Sequence, residues 1–534
     1  MPSRIDDLRR ALPEIRASDD PADRVAYARD LWPRHHLAVR AGNVGAHRPG
    51  FIVWPETTAE VSAVVTWAAR TGTPVVPFGA GSGVCAGILP TDEVVVLDLK
   101  RMGKIRGIDP AVPSVDVEAG AMGVPFEEEL VRAGFTLGHF PSSILCSTVG
   151  GWLAARSAGQ CSGKYGKIED MAISLECVTG TGEVVTLHHR QHGPSLVPIV
   201  IGSEGTMAVI TRATLRLHPA PTTRAYGAFS FPTTERGWDA MRRAFQAGKR
   251  PAVMRLYDPF DAMLARQGSV KGSPRSPRGE GAPSPLGFPG AGTRALRRGL
   301  QSPRFFNALV DGPLSIALGP ALLVVIFEGD GTKPYEDLAE TRRMFEALGA
   351  GWEGEGQARK WFQHRYSVSY RQAPVFAKGL FSDTMEVAAP WSRLDAVYHG
   401  VRKALGRSVF VMAHLSHAYP DGCCIYFSFA GSAAPDPSNP AAAWDEGCEE
   451  VYDRTWKAAM AAVLEAGGVL AHHHGVGRSK APRLAEELGG VGMSTVRALM
   501  KAFDPHGILN PGNLVAPPSP DPYRHDASPR EISP

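Results

Sequence analysis

The residues LAHHHGVGRSK, Leu470–Lys480, set three consecutive histidines between an apolar stretch and a glycine-rich basic one. Imidazole changes charge near neutrality, so His472, His473 and His474 suit either proton transfer or metal ligation. A metal held by His472 and His474 needs third and fourth ligands, and His414 and His417 could supply them from a neighbouring strand. If Leu470 to His474 is extended, alternate side chains point to opposite faces. His473 then faces away from its two neighbours, and the three cannot serve one centre equally. The expectation is one catalytic imidazole with two supporting neighbours, and no metal site is assigned. Gly475 and Gly477 would let the chain turn tightly after them.

Four small-residue stretches offer a different chemistry. In PVVPFGAGSGV the glycines 79, 81 and 83 follow a strand as G-x-G-x-G. A dinucleotide fold requires G-x-G-x-x-G opening a helix. Here the chain runs on through Gly87 and Pro90 into another strand, so that reading fails. Consecutive small residues still let successive backbone amides converge on one anion. The others are Pro141–Gly166, rich in serine, threonine and glycine, IGSEGTMAVIT at Ile201–Thr211, and NPGN at Asn510–Asn513.

The chain that must position these groups has 534 residues, enough for two or three domains. Hydrophobic residues make up 44% and charged residues 21%, a soluble globular balance. A net charge of +3 does not argue for nucleic acid. Seven cysteines without a disulfide-like spacing fit a reducing compartment. No secretory signal opens the sequence, so a cytoplasmic location is expected. The apolar run ALLVVIFEGD reads as a buried strand, being too short to span a membrane. TTAEVSAVVTWAARTG reads as an amphipathic helix that Thr58 can cap and Gly72 stops. Strand and helix signals alternate to about Pro219 and again from 321 to about 462. Between them, residues 267–304 are rich in Gly, Pro, Ser and Arg, and read as a mobile basic loop.

Taken in order, the four small-residue stretches resemble the vanillyl-alcohol oxidase / p-cresol methylhydroxylase family of flavoproteins. Pro77, Phe78, Gly79, Ala80, Gly81, Ser82, Gly83 and Val84 resemble its pyrophosphate loop. Ser147, Thr148, Gly150 and Gly151 lie in Ser147–Gly151, which resembles its S-x-G-G segment, with Tyr165 and Gly166 following, and Pro141, Ser142, Trp152 and Ala154 around it are further cofactor candidates. Glu204, Gly205 and Ile210 lie in Gly202–Thr211, which resembles the family's GSEGT-x-x-[IV]-[IV]-T segment, and Asn510 opens NPGN. The resemblance implies FAD and an α+β protein. A two-part FAD-binding domain of the vanillyl-alcohol oxidase type would span 48–219, after a helical lead-in at 1–47. An α+β cap with an antiparallel sheet would span 220–462. Residues 463–515 would return to the flavin, leaving a disordered tail from 516 to 534. No histidine lies in Gly79–Gly87, where some relatives tether the flavin, so non-covalent FAD is implied.

Within that family the chain resembles the alkyldihydroxyacetonephosphate synthases. HHHGVGRSK, the strand CCIYFSF, AAPWSRL and VMRLYDP carry that likeness, whereas YRQAP at 370–374 lacks an Asp after its Arg. The implied substrates are lipid-like, and the implied reaction exchanges an acyl group for a fatty alcohol with the flavin as electrophile. On that basis Tyr426 and one histidine, His473 first among His472–His474, would exchange a proton. Arg393 and Arg255 would bind the substrate phosphate bidentately. Peripheral membrane contact and a homodimer stay open. The alternative is an FAD-linked dehydrogenase or oxidase of a 2-hydroxy acid or alcohol.

Overall fold

The computed structural model describes residues 3–40, 42, 47–189, 192–267, 302–312, 318–366, 376, 380–433 and 440–516. Nearly all of the basic loop, the YRQAP segment and the tail after 516 lie outside them. Among the described residues two compact units form. The first takes residues 3–159, 166–220 and 471–516; the second takes 160–165 and 221–470.

The first unit holds two sheets that present its loops. In one, Phe51–Val53, Val95–Asp98 and Val75–Phe78 run parallel, and Ala17–Ser18 adds antiparallel at the edge. These strands are buried and apolar, as parallel strands covered on both faces must be. The Thr58–Thr71 helix follows the first of them and buries Val61, Val64, Val65, Trp67 and Ala68. Its cap is Thr57, not Thr58: the Thr57 hydroxyl accepts the Glu60 amide, while Thr58 sits inside the helix and donates to Glu176 at 2.7 Å. Either threonine could cap by type, and the extended φ of −139° at Thr57 decides it. Gly72 ends the helix in the left-handed region, as expected. The second sheet is antiparallel, in the order Ile105–Asp109, Ser114–Glu118, Ala208–Arg216, Ala172–Thr179, Val184–His188.

The second unit is built on a seven-stranded antiparallel sheet. Its order is Gly351–Gly354, Thr223–Phe231, Ala321–Gly329, Val253–Tyr257, Phe410–Ala418, Gly422–Gly431, Phe381–Pro390. The apolar run at 321 is an interior strand, buried from Ala321 to Glu328. The Phe410–Ala418 and Gly422–Gly431 strands form a hairpin that pairs His414 with Tyr426 and Ser416 with Cys424. Its ladder then skips to Ala418 opposite Cys423, leaving His417 as an extra residue with φ +52°. A bulge of this kind re-aims one side chain out of the alternation.

Candidate functional site

In the first unit, the glycine loop leaves the Val75–Phe78 strand and exposes its backbone. Among the described residues, the amides of Ala80, Gly81, Ser82, Gly83 and Val84 have no acceptor. Lys100 fixes the loop's base, donating to the Gly79 carbonyl at 3.0 Å and to Asp98 at 2.7 Å. A side chain at Gly79 would overlap the Thr148 hydroxyl. Thr148 in turn caps the short Val149–Ala154 helix by accepting the Gly151 amide. Ser147 accepts the Trp152 indole N–H at 2.8 Å, and Gly150 packs against Ala119. Ser147, Thr148 and Gly150 thus brace the protein's own frame, while the 80–84 amides stay open to an anion. Pro141 and Ile210 are buried beside this frame. Gly205, with φ +74°, lies against Pro77, and the Ala154 carbonyl accepts the Glu204 amide at 2.9 Å. Three buried polar atoms here have no partner among the described residues: His139 Nδ1, Asn510 Oδ1 and Asn513 Oδ1. Open amides and orphaned acceptors in one unit fit a large polar cofactor such as FAD.

The histidine loop belongs to the same unit. Residues 472–474 form bends, not an extended segment. The alternating-face expectation therefore fails: His472 Nδ1 lies 3.0 Å from His473 Nδ1, and the His473 and His474 rings are 4.6 Å apart between centroids. The cause lies downstream. Gly475 and Gly477 have φ of +82° and +55°, and a side chain at Gly477 would collide with the Cys85 carbonyl. Glu204, half-buried at φ +51° with its carboxylate enclosed, holds this turn. Its carboxylate accepts from the Val476 amide at 2.5 Å, the Gly477 amide at 2.9 Å and Asn513 Nδ2 at 2.9 Å. Burial raises the Glu204 pKa, and these donors oppose the rise. Asn510 completes the clamp through the Glu204 carbonyl at 2.9 Å and the Gly87 carbonyl at 3.0 Å.

In the second unit the hairpin assembles a buried polar cluster around Tyr426. The Tyr426 ring stacks on His414 at 4.6 Å, and its hydroxyl lies 2.9 Å from His417 Nε2. Burial pushes the phenol well above its ordinary pKa, with Cys424 and Glu386 adding to the effect. Arg255 Nη2 lies 2.6 Å from His414 Nε2. Guanidinium only donates, so Nε2 accepts and the His414 proton sits on Nδ1, 3.2 Å from Asp261 Oδ2. Burial and the Arg255 charge hold His414 far below its usual pKa, consistent with that neutral ring. Burial raises Asp261 to about 6. The Arg255 guanidinium is framed by the rings of Tyr257, Trp361 and Tyr426 at 5.3, 6.0 and 5.8 Å, and its Nε has no partner among the described residues. A fixed cation with spare donors suits a phosphate.

The structure thus brings Arg255 and Tyr426 together. Arg393 is exposed at the start of the Leu394–Leu405 helix, with its stem beside Gly467. Tyr165 falls in the second unit, its phenol donating to Glu328 at 2.7 Å, while Gly166 returns to the first with φ +83°. Sequence reasoning missed Asp261 and His139, and used His414 and His417 only as hypothetical metal ligands. His139 is buried, 2.7 Å from Ser157 with its ring tilted against Trp152, and burial with the nearby His473 lowers its pKa to about 3. Its signal was its place two residues before Pro141. The signal for His414 was the strand pairing opposite Tyr426.

Comparison with known proteins agrees with this anatomy. The model for the C-terminal domain of FAD linked oxidases matches residues 220–514, and that for an FAD binding domain matches 49–188. The alkyldihydroxyacetonephosphate synthase of Trypanosoma brucei brucei is 29% identical over 96% of this chain and 81% of its own. A solved alkyldihydroxyacetonephosphate synthase structure superposes with a TM-score of 0.70 at 25% identity, covering 95% of this chain and 84% of that one. Substrate-bound p-cresol methylhydroxylase shares the fold at 16% identity, TM-score 0.70 and 96% coverage of both chains.

Proposed function

The chain belongs to the FAD-linked oxidase family, with FAD as its cofactor, and from that premise we propose that it is an alkyldihydroxyacetonephosphate synthase-type enzyme. It would exchange the acyl group of acyl-dihydroxyacetone phosphate for a fatty alcohol. The observation that carries this reading is the Arg255–His414–Tyr426 cluster: a half-buried cation for a phosphate beside a phenol poised for proton transfer. The synthase relatives, at 25–29% identity over most of the chain, support it.

FAD, when bound, supplies the electrophile. The protein residues do the rest. Arg255, held by His414 and the three rings, receives the phosphate and sets the substrate's register. Tyr426 takes a proton from the substrate carbon and later returns one, a role suited to a phenol backed by an imidazole. The histidine loop, His473 foremost, would supply the second proton-transfer group, and Glu204 keeps its backbone in place. A long acyl chain needs an apolar path, and contact with a bilayer surface is part of the proposal. Among the described residues no helix is long and apolar enough to cross a membrane. Anaerobic mixing tests the reading: substrate should turn over without net bleaching of the flavin. Stoichiometric bleaching by a 2-hydroxy acid or alcohol would favour a dehydrogenase instead.

A further inference from the structure

Behind Tyr426 a buried chain of hydrogen bonds continues beyond the Arg255–His414–Tyr426 cluster. His417 Nε2 lies 2.9 Å from the Tyr426 hydroxyl, and His417 Nδ1 lies 2.8 Å from Ser162 Oγ. The Tyr419 hydroxyl donates to the same Ser162 oxygen at 3.1 Å. Tyr426, His417 and Ser162 are buried. Tyr419 is only half-buried, at the tight turn closing the hairpin, where Pro420 is exposed. The chain thus runs from the buried phenol to a residue that is itself partly exposed.

Two features show that the arrangement is specified. Ser162 comes from the six-residue excursion 160–165, which joins the second unit from 255 residues away. His417 sits on the bulge with φ +52°, a left-handed conformation that a non-glycine residue adopts only at a cost. Without the extra residue, a ring at this position would follow the strand alternation and lose both partners.

In the direction that carries a proton outward, the Tyr426 hydroxyl donates to His417 Nε2, and His417 carries its proton on Nδ1 and donates to Ser162. Ser162 accepts from both His417 and Tyr419 through its two lone pairs.

We infer that His417, Ser162 and Tyr419 form a proton relay serving Tyr426. This rests on the exchange reading for the source of the proton. When the Tyr426 oxygen takes a substrate proton, its own proton moves to His417 Nε2. The Nδ1 proton passes to Ser162 Oγ. Once the Ser162 and Tyr419 hydroxyls turn, the Ser162 proton passes to the Tyr419 oxygen and the Tyr419 proton to water. Running the steps backward restores the starting state, so no oxidant or net charge is needed. His417 does not touch substrate and is a positioning and relay residue.

The test compares flavin-loaded wild type with His417→Gln, Ser162→Ala, Ser162→Thr and Tyr419→Phe. Removing one general acid–base link should cost about a hundredfold in kcat for His417→Gln. KM, bound flavin and melting temperature should stay near wild type. Ser162→Ala should lose kcat and Ser162→Thr should recover it, because only the hydroxyl matters. Tyr419→Phe should slow turnover less and alter the solvent deuterium isotope effect. Unchanged kcat in folded Ser162→Ala and Tyr419→Phe overturns the relay, and these two variants carry the test if His417→Gln fails to fold. A second measurement needs no substrate. Nitrogen NMR of labelled histidines should show a signal, absent in His417→Gln, with a protonated Nδ1 and bare Nε2 that shifts in Tyr426→Phe and Ser162→Ala. The opposite tautomer overturns the relay even if wild type makes no ether product, which would itself sink only the exchange reading.

Discussion

The Glu204 carboxylate accepts the Gly477 amide at 2.9 Å, joining the GSEGT turn to the loop that follows the three histidines. The same carboxylate takes the Val476 amide and Asn513. A buried carboxylate with three donors is worth keeping only if all three remain, since an orphaned buried N–H costs about 1–3 kcal/mol.

Glu204→Ala should therefore lower the melting temperature and make the 475–477 backbone cleavable in limited proteolysis. Glu204→Gln should fall between, because its amide nitrogen faces at least one N–H. If Glu204→Ala melts like wild type and resists cleavage there, the clamp does not hold the loop.

The glycine loop makes a second prediction, about space. Gly79→Ala would push a methyl into the Thr148 hydroxyl. The expected result is soluble protein depleted of flavin, read from its visible absorbance. Adding Thr148→Ala removes the obstructing oxygen at the cost of a helix cap, about 1 kcal/mol. Flavin should return in the double variant while stability drops. Flavin retained in Gly79→Ala alone would contradict the tight packing.

Much of this anatomy was legible in the sequence, but unevenly. The parallel strands, the helix after Phe51–Val53 and the interior strand at 321 follow from periodicity and apolar runs. The segment 160–165 carried no such mark: it joins the second unit through long-range contacts, and local pattern cannot register those. The extended reading of Leu470–His474 failed because two left-handed glycines and the enclosed carboxylate of Glu204, 272 residues away, bend the loop. His417 went unread as a partner of Tyr426 because strict alternation leaves no extra residue, and one bulge supplies it.

Arg255 and Arg393 should separate in kinetics. Arg255→Lys keeps the charge but loses the planar donors that reach His414 and a phosphate, so KM for the phosphate-bearing substrate should rise about tenfold or more, equivalent to about 1.4 kcal/mol. Arg393→Ala, at an exposed helix start, should leave KM within about twofold, the range expected of surface changes. The reverse order in a steady-state comparison would move the phosphate site to Arg393.

Asp261 gives a pH dependence with a definite sign. Its folded pKa, about 6, lies above the ordinary 3.8. Its stability contribution is therefore full below the unfolded value and lost as pH rises through about 6. Asp261→Asn should gain melting temperature over wild type at mildly alkaline pH and little in acid. Function runs the other way: protonating Asp261 weakens the acceptor that orients His414 and Arg255, so wild-type KM should rise below about pH 6. Asp261→Asn should flatten that rise, and an unchanged KM profile in the variant would remove Asp261 from the account.

The most direct measurement is mass analysis of products from flavin-loaded protein given acyl-dihydroxyacetone phosphate and an isotopically labelled fatty alcohol. The account predicts labelled alkyl-dihydroxyacetone phosphate and free fatty acid in equal amounts, with the flavin still oxidised and the product lost in Tyr426→Phe. Absence of the labelled ether, with a 2-hydroxy acid or alcohol oxidised and the flavin reduced, would contradict it.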